Sequence, residues 1–311
     1  MRPFIVSGSA HPALAEDLAR ELEAELPACA LRRFPDGEQE VEVDAGVRGQ
    51  PVFLVQPLAP PVGEHVVELL LLADACRRLG ARAVAAIVPY VGFARQDRVA
   101  REGRPLGAKV IADVLATARL AQVIVLDVHS PVFAACVEAP LAHLTALPVL
   151  VEALRPFVRE ESVVVAPDLG AVKLAEAYAR LLAVPLAVVS KVRVSPVQVA
   201  VRDVVGDVRG KRPILVDDMI STGSTVVAAM DALLAAGCEP DVVVAATHAV
   251  LAPRALARLL RPEVARVVVT DSLPLAREID RVEVVRLSPL LAEAVRRLAG
   301  GRPLDELLAG R

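Results

Sequence analysis

Short apolar runs rich in Val and Ile alternate with longer amphipathic stretches along almost the whole chain, and this alternation limits the fold more than any other feature. Phe4-Ile5-Val6, Val52–Val55, Ala83–Val88 and Val123–Leu126 are short and continuously apolar, which predicts strands buried on both faces. Between them, Leu14, Leu18 and Leu22 recur at helical spacing inside a predicted helix from Pro12 to Leu26. Glu64–Leu79 predicts a second helix, stopped by Gly80, and Gly107–Ala118 a third. The scheme then repeats, with strands at Val163–Ala166, Leu186–Val189, Ile214–Val216, Val242–Ala246 and Val267–Thr270. Such alternation gives an α/β fold of largely parallel sheets covered on both faces. The division falls near Ala146–Pro148, so two tandem domains are expected, 1–146 and 147–311. The short helical patterns at Leu291–Leu298 and Leu304–Leu308 suit either half.

Composition narrows the class. Of 311 residues, 55% are hydrophobic and 23% charged, too apolar for a disordered chain. No charge-free run reaches the roughly 18 residues a membrane helix needs, and Met1–Val6 meets Gly8 too soon for a secretory signal. A net charge of −3 lacks the basic surplus of nucleic-acid binders. Cys29, Cys76, Cys136 and Cys238 are scattered without a Cys-x-x-Cys pair, which argues against a disulfide framework or structural zinc. The expectation is a cytoplasmic protein that binds neither nucleic acid nor membrane. Of the 35 basic residues, only Lys109, Lys173, Lys191 and Lys211 are lysines. Where arginine is the default cation, a lysine that persists draws attention, because ammonium and guanidinium differ in geometry.

Ligands of open α/β sheets bind beyond the carboxyl ends of the strands, so the loops after the apolar runs carry the chemistry. After Ile214-Leu215-Val216 come Asp217-Asp218-Met219-Ile220-Ser221-Thr222-Gly223-Ser224-Thr225 and then a helical stretch, Val226–Ala236. Two adjacent carboxylates can accept hydrogen bonds from the vicinal hydroxyls of a sugar. The hydroxyls of Ser221, Thr222, Ser224 and Thr225, with backbone N–H groups at the helix start beyond Gly223, make a phosphate cradle. A sugar phosphate satisfies both halves, whereas helix capping alone requires neither the paired carboxylates nor four hydroxyls.

Other residues are ambiguous when taken singly. Phe34 can stack on a purine or belong to the core, while Asp36 and Glu38 can accept from an exocyclic amine or a ribose hydroxyl. Arg95 and Gln96 sit in a polar loop after a strand, where Arg suits phosphate oxygens or is simply solvated. Asp127 and His129 follow Val123–Leu126, and Asp168 follows Val163–Ala166, positions from which they can meet Mg²⁺ carried on substrate phosphates. Lys191 and Arg193 alternate, so in an extended segment they share a face and can stabilise charge on reacting phosphates or end an exposed strand. A conventional P-loop is missing: Gly206–Arg212 has the wrong spacing and no hydroxyl after Lys211.

The Asp217–Thr225 segment resembles the 5-phosphoribosyl-1-pyrophosphate binding motif of the type I phosphoribosyltransferase fold. Further segments resemble the longer ribose-phosphate pyrophosphokinases of that fold: Phe34-Pro35-Asp36-Gly37-Glu38, Pro89–Arg98, Pro105–Lys109, Asp127-Val128-His129, Ala166–Gly170 and Lys191-Val192-Arg193. The resemblance spans Phe4 to about Leu290, in order and spacing. It implies two phosphoribosyltransferase-like domains and transfer of a diphosphoryl group from Mg-ATP to the 1-hydroxyl of ribose 5-phosphate. By resemblance, Phe34, Asp36, Glu38, Arg95 and Gln96 hold ATP, the Phe34–Glu38 loop reaching the site of a neighbouring subunit in a homo-oligomer. Arg193, Asp217, Asp218 and Ser221–Thr225 hold ribose 5-phosphate, His129 and Asp168 hold Mg²⁺, and Lys191 with Arg193 is catalytic. The rival readings are a phosphoribosyltransferase, or a silent paralogue that binds nucleotide without turnover.

The sequence departs from the family at one place. Many members carry two glutamines soon after the Asp-x-His motif and a Ser two residues before an Arg-Gly pair, and use inorganic phosphate as an activator. Here Val132 and Ala134 replace the glutamines and Gly46 the serine before Arg48-Gly49. None of the three offers a side-chain donor to an anion, so activity without added phosphate is expected.

Overall fold

The computed structural model describes residues 3–99, 101–192, 201–275 and 277–308. The chain divides into two compact units. One runs through Thr145 and takes in Ser272–Pro274 and the residues from Arg286 onward; the other holds Ala146–Asp271 and Leu275–Val285.

The first unit begins with β1 (Phe4–Ser7) and α1 (Pro12–Leu22), followed by β2 (Cys29–Arg33) and β3 (Gln39–Val43). Then come β4 (Pro51–Val55), α2 (Val62–Arg78), β5 (Ala83–Val88), α3 (Gly107–Thr117), β6 (Gln122–Leu126), α4 (Pro131–Cys136) and β7 (Leu141–Leu144). Among the described residues its sheet is wholly parallel, in the order β1-β4-β5-β6-β7, so every crossover steps the same way. Alternate strand residues, Val6, Leu54, Val88 and Val125 among them, form one core with α2 and α3. The predicted helix to Leu26 stops four residues early. Glu23 adopts a left-handed conformation (φ 49°) and turns its N–H back on the Ala19 and Arg20 carbonyls, after which Glu25 runs beside β1 and accepts the Ile5 N–H at 2.9 Å. The antiparallel hairpin β2–β3, paired from Cys29 with Val43 to Arg33 with Gln39, stands apart from the parallel sheet.

The second unit contains α5 (Leu147–Leu154), β8 (Ser162–Ala166), α6 (Val172–Leu182), β9 (Leu186–Val192) and β10 (Val201–Val205). After these follow β11 (Arg212–Ile220), α7 (Ser224–Ala235), β12 (Val242–Ala249), α8 (Ala255–Leu259), β13 (Val264–Thr270) and β14 (Val282–Val285). The strand order among the described residues is β10-β9-β8-β11-β12-β13-β14, parallel except for the β9–β10 pair. The chain steps from β8 to one edge, then returns to β11 and steps to the other. The strand order therefore reverses between β8 and β11, and such a reversal opens a crevice at the carboxyl ends of the two strands.

The last long helix, α9 (Ser288–Ala299), corrects the expected boundary of 147–311. Its buried residues Leu290, Leu291, Ala294 and Val295 lie on a helix that packs against α1, whose own buried residues are Leu14, Ala15, Leu18 and Ala19. Beyond it, Leu307 accepts the Thr145 N–H at 3.0 Å, so the residues from Arg286 belong with the first unit. An amphipathic repeat reveals that a helix has an apolar face, not which sheet needs covering. Of the Leu304–Leu308 pattern, only a single 3₁₀ turn forms, Asp305–Leu307.

Candidate active site

The carboxylates of the second unit meet at the β8/β11 reversal. Val165 on β8 pairs with Leu215 on β11, so Asp168, just past β8, and Asp217 and Asp218, near the end of β11, sit at neighbouring strand ends. The N–H of Asp218 donates to Oδ1 of Asp217 at 2.9 Å. Burial, the adjacent Asp218 carboxylate and the Asp168 charge push the Asp217 carboxyl up to about 8. Asp168 lies on one side of this pocket of negative charge, one oxygen already accepting the Gly170 N–H at 2.9 Å. Such a site waits for donors or cations: sugar hydroxyls and Mg²⁺ both qualify.

Immediately downstream the chain turns through Ser221-Thr222-Gly223 into α7. Gly223 holds φ +73°, and a Cβ there would come within 3.1 Å of Leu259 Cγ, so the turn needs glycine both for its dihedral and for its closeness to α8. Thr222 Oγ1 and Ser224 Oγ lie 2.8 Å apart. Three contacts fix the turn from the segment after β12. Leu251 N–H donates to the Ile220 carbonyl at 3.0 Å, Ala252 N–H to that of Ser221 at 3.0 Å, and Arg258 Nη1 to that of Thr222 at 3.5 Å. Hydroxyls, the amino end of a 12-residue helix and a nearby guanidinium together suit a phosphate dianion. Arg258 carries no sequence motif and is recognisable only from this contact.

In the first unit, an open cleft of about 640 Å³ is lined by Arg95, Gln96, Asp97, Arg98, Arg104, Pro105 and His129. Three guanidiniums around one cleft favour a polyanion, and Arg98 and Arg104 join the candidates that sequence reasoning singled out. Gln96 is held at the start of α3: its carbonyl accepts the Ala108 N–H at 3.1 Å, and a Cβ on Gly107 would lie 2.7 Å from Gln96 Oε1. The turn bearing His129 is set by Val128, whose N–H donates to Nε2 of His143 at 2.9 Å. Asp127 sits at φ +36°, a sparsely populated conformation that turns the chain sharply off the end of β6.

Phe34, Asp36 and Glu38 form the tip of the β2–β3 hairpin. Phe34 is 47% exposed, which removes it from the core. None of the three is among the residues lining the cleft. The tip is tightly closed: Phe34 N–H donates to the Glu38 carbonyl and Gly37 N–H to the Phe34 carbonyl, both at 2.9 Å, while Glu38 N–H donates to Asp36 Oδ1 at 3.1 Å. Lys191 lies on β9, in register with Arg202 of β10; Arg193 falls outside the described residues. Lys109 is explained by an ion pair with Asp113 one turn along α3 at 2.6 Å, and Lys211 by Asp207 at 3.2 Å. Among the described residues no group of three or more His, Cys, Asp or Glu gathers as a metal cage, and no helix is long and apolar enough to cross a membrane.

Residues 4–118 match the N-terminal domain of ribose phosphate pyrophosphokinase, and residues 150–272 match the phosphoribosyl transferase domain. The ribose-phosphate pyrophosphokinase of Bacillus caldolyticus is 38% identical over 287 residues, 92% of this chain and 91% of that one. That of Aquifex aeolicus is 37% identical over 305 residues, covering 97% and 98% of the two chains. The chain belongs to the ribose-phosphate pyrophosphokinase family. Among ribose-phosphate pyrophosphokinases, that of Streptomyces coelicolor reaches 41% identity over 295 residues, 93% of this chain and 91% of that one. The phosphoribosylpyrophosphate synthetase of Mycobacterium smegmatis, known from a crystal structure, superimposes with a TM-score of 0.89 at 35% identity, over 97% of this chain and all of that one. The ribose-phosphate pyrophosphokinases are a class of enzymes, and this chain carries both of their domains.

Proposed function

We propose that this enzyme makes 5-phosphoribosyl 1-pyrophosphate by moving the β,γ-diphosphoryl group of ATP onto the 1-hydroxyl of ribose 5-phosphate. The hydroxyl oxygen attacks the β-phosphorus, the bond to the α,β-bridging oxygen breaks, AMP leaves and the hydroxyl proton passes to solvent. The observation that carries this reading is the pairing of Asp217 and Asp218 with a Ser/Thr turn at the head of α7, at the strand-order reversal of a family member. Asp217 and Asp218 accept from the ribose hydroxyls, and Ser221–Thr225 take the 5-phosphate. The arginine-lined cleft takes the nucleotide phosphates through Arg95 and Gln96, while Phe34, Asp36 and Glu38 hold the base and ribose of ATP. In the oligomer that this reading includes, the hairpin serves the site of a second copy.

Magnesium suits the donors present, because it keeps most of its waters and needs only one or two protein ligands beside substrate phosphates. In the second unit Asp168, with one oxygen engaged by Gly170 and one left for a cation, would hold it, and in the first unit the exposed His129 is the candidate ligand; the ion would neutralise charge on the diphosphoryl group. Lys191 and Arg193 complete that neutralisation as the transition state forms; positioning and charge do the work, with no covalent enzyme intermediate.

The test is AMP formation from ATP in the purified protein, with and without ribose 5-phosphate. AMP release that depends strictly on ribose 5-phosphate supports the reading. Release without it sinks the reading, since ATP would then be cleaved without the acceptor; no release with it sinks the reading and favours a silent paralogue. Consumption of 5-phosphoribosyl 1-pyrophosphate only in the presence of a free base would identify a phosphoribosyltransferase instead.

A further inference from the structure

The hairpin that ends in Phe34, Asp36 and Glu38 is tied to α2 by both of its strands. Arg33, the last residue of β2, pairs through Nη2 with Glu64. Gln39, the first residue of β3, donates Nε2 to Oε2 of Glu68 at 3.4 Å. Glu64 and Glu68 are one turn apart and so share a helix face. Glu68 is only 3% exposed and collects more donors. Its Oε1 accepts Ser9 N–H at 2.6 Å and Gln56 Nε2 at 2.8 Å, and its Oε2 accepts Ser9 Oγ at 2.7 Å. Ser9 follows β1 and Gln56 follows β4, so one buried carboxylate joins the hairpin base to the ends of two adjacent core strands.

A leucine would fill this space without desolvating a charge, and burying a carboxylate costs several kcal/mol unless every lone pair is engaged. What the carboxylate adds is direction. It fixes where the hairpin leaves the core, and the tip is already closed by its own hydrogen bonds, so base and tip move as one piece. We propose that Glu64 and Glu68 are positioning residues for the nucleotide, setting the angle at which the hairpin presents Phe34 to the adenine ring. This rests on the assignment of the hairpin tip to ATP.

The experiment compares Glu64→Gln, Glu68→Gln and the charge swap Arg33→Glu/Glu64→Arg, each with and without Phe34→Ala, in the full chain. The Arg33–Glu64 pair is about half exposed, so its loss raises the KM for ATP at most about fivefold, with the charge swap restoring much of the effect. Loss of the buried acceptor raises it by about tenfold or more. The KM for ribose 5-phosphate and kcat stay within about twofold, because the damage is confined to one ligand. In the Phe34→Ala background the same changes add nothing further, since they act only through the tip. Amides of residues 33–39 exchange faster with deuterium in both single variants, while those of β4 do not. Equal rises for both substrates, full additivity with Phe34→Ala, or unchanged exchange and KM in Glu64→Gln and Glu68→Gln would each overturn the proposal. If Phe34→Ala raises the KM for ATP while the glutamate variants do not, the positioning role alone fails. If Phe34→Ala has no effect on it, the assignment of the tip to ATP fails, and the proposal with it. Should Glu68→Gln not fold, Glu64→Gln and the charge swap still decide.

Discussion

The N–H of Asp218 points at Oδ1 of Asp217, 2.9 Å away, so two neighbouring carboxyls share one partly buried corner at the end of β11. Burial first, and then the Asp218 and Asp168 charges, raise the Asp217 pKa to about 8. A raised carboxyl binds a proton more tightly folded than unfolded, so its contribution to stability is greatest below the unfolded value of 3.8 and declines as pH rises to about 8. Asp217→Asn removes that decline. In ligand-free, magnesium-free buffer the variant should match the wild type in Tm near about pH 4 and exceed it increasingly up to about pH 8, then by a constant margin. A constant difference across the whole range would show that Asp217 ionises normally.

Removal of both acceptors, Asp217→Ala with Asp218→Ala, should raise the KM for ribose 5-phosphate by at least about tenfold. The KM for ATP should change far less, because the guanidiniums that suit its phosphates line a cleft of the first unit. Substrate titrations that show equal damage to both ligands would contradict this division.

Lys191→Ala should fold normally and lose about a hundredfold or more in turnover, the scale of one transition-state donor. Near-normal turnover in a single-turnover assay would remove Lys191 from the catalytic set.

Gly223→Ala strains a residue held at φ +73° and pushes a methyl group towards Leu259. The expected result is a fall in Tm together with a rise in the KM for ribose 5-phosphate alone. A fall in Tm with unchanged kinetics would separate the turn from phosphate binding.

Activity should not require added inorganic phosphate. Gly46 lacks a hydroxyl, and its N–H already donates to Asp44 Oδ1 at 2.8 Å, so that donor is taken up by a carboxylate. Initial rates in phosphate-free buffer decide the matter; an absolute phosphate requirement would refute the argument. ADP should then inhibit by competing with ATP, and saturating ATP should relieve it.

The strand–turn–helix around Asp217–Thr225 is legible from sequence because its pattern is local: an apolar run, two carboxylates, a glycine turn, a helix. The β2–β3 hairpin is not. Its strands are partly exposed and alternate Leu31 and Val41 with Arg32, Glu40 and Glu42, a pattern too charged to read as a strand beside the continuous apolar runs of the sheet. The early end of α1 is hidden for another reason: Glu23, not glycine, takes the left-handed position, and Leu26 prolongs the helical spacing past it. Glu68 is invisible as well, since one glutamate on a helix reads as solvated until Ser9, Gln39 and Gln56 are seen to converge on it. Arg98 and Arg104 lie in a polar loop whose enclosure of a cleft is a tertiary fact.

The return of α9 to α1 has a consequence for how the protein is made. A ribosome delivers the amino-terminal half first, and domains tend to fold as they emerge. Here α1 meets its partner helix only after the whole of the second unit has been translated. Until then the newborn first half lacks the helix that covers part of α1, and that packing step waits until α9 has emerged.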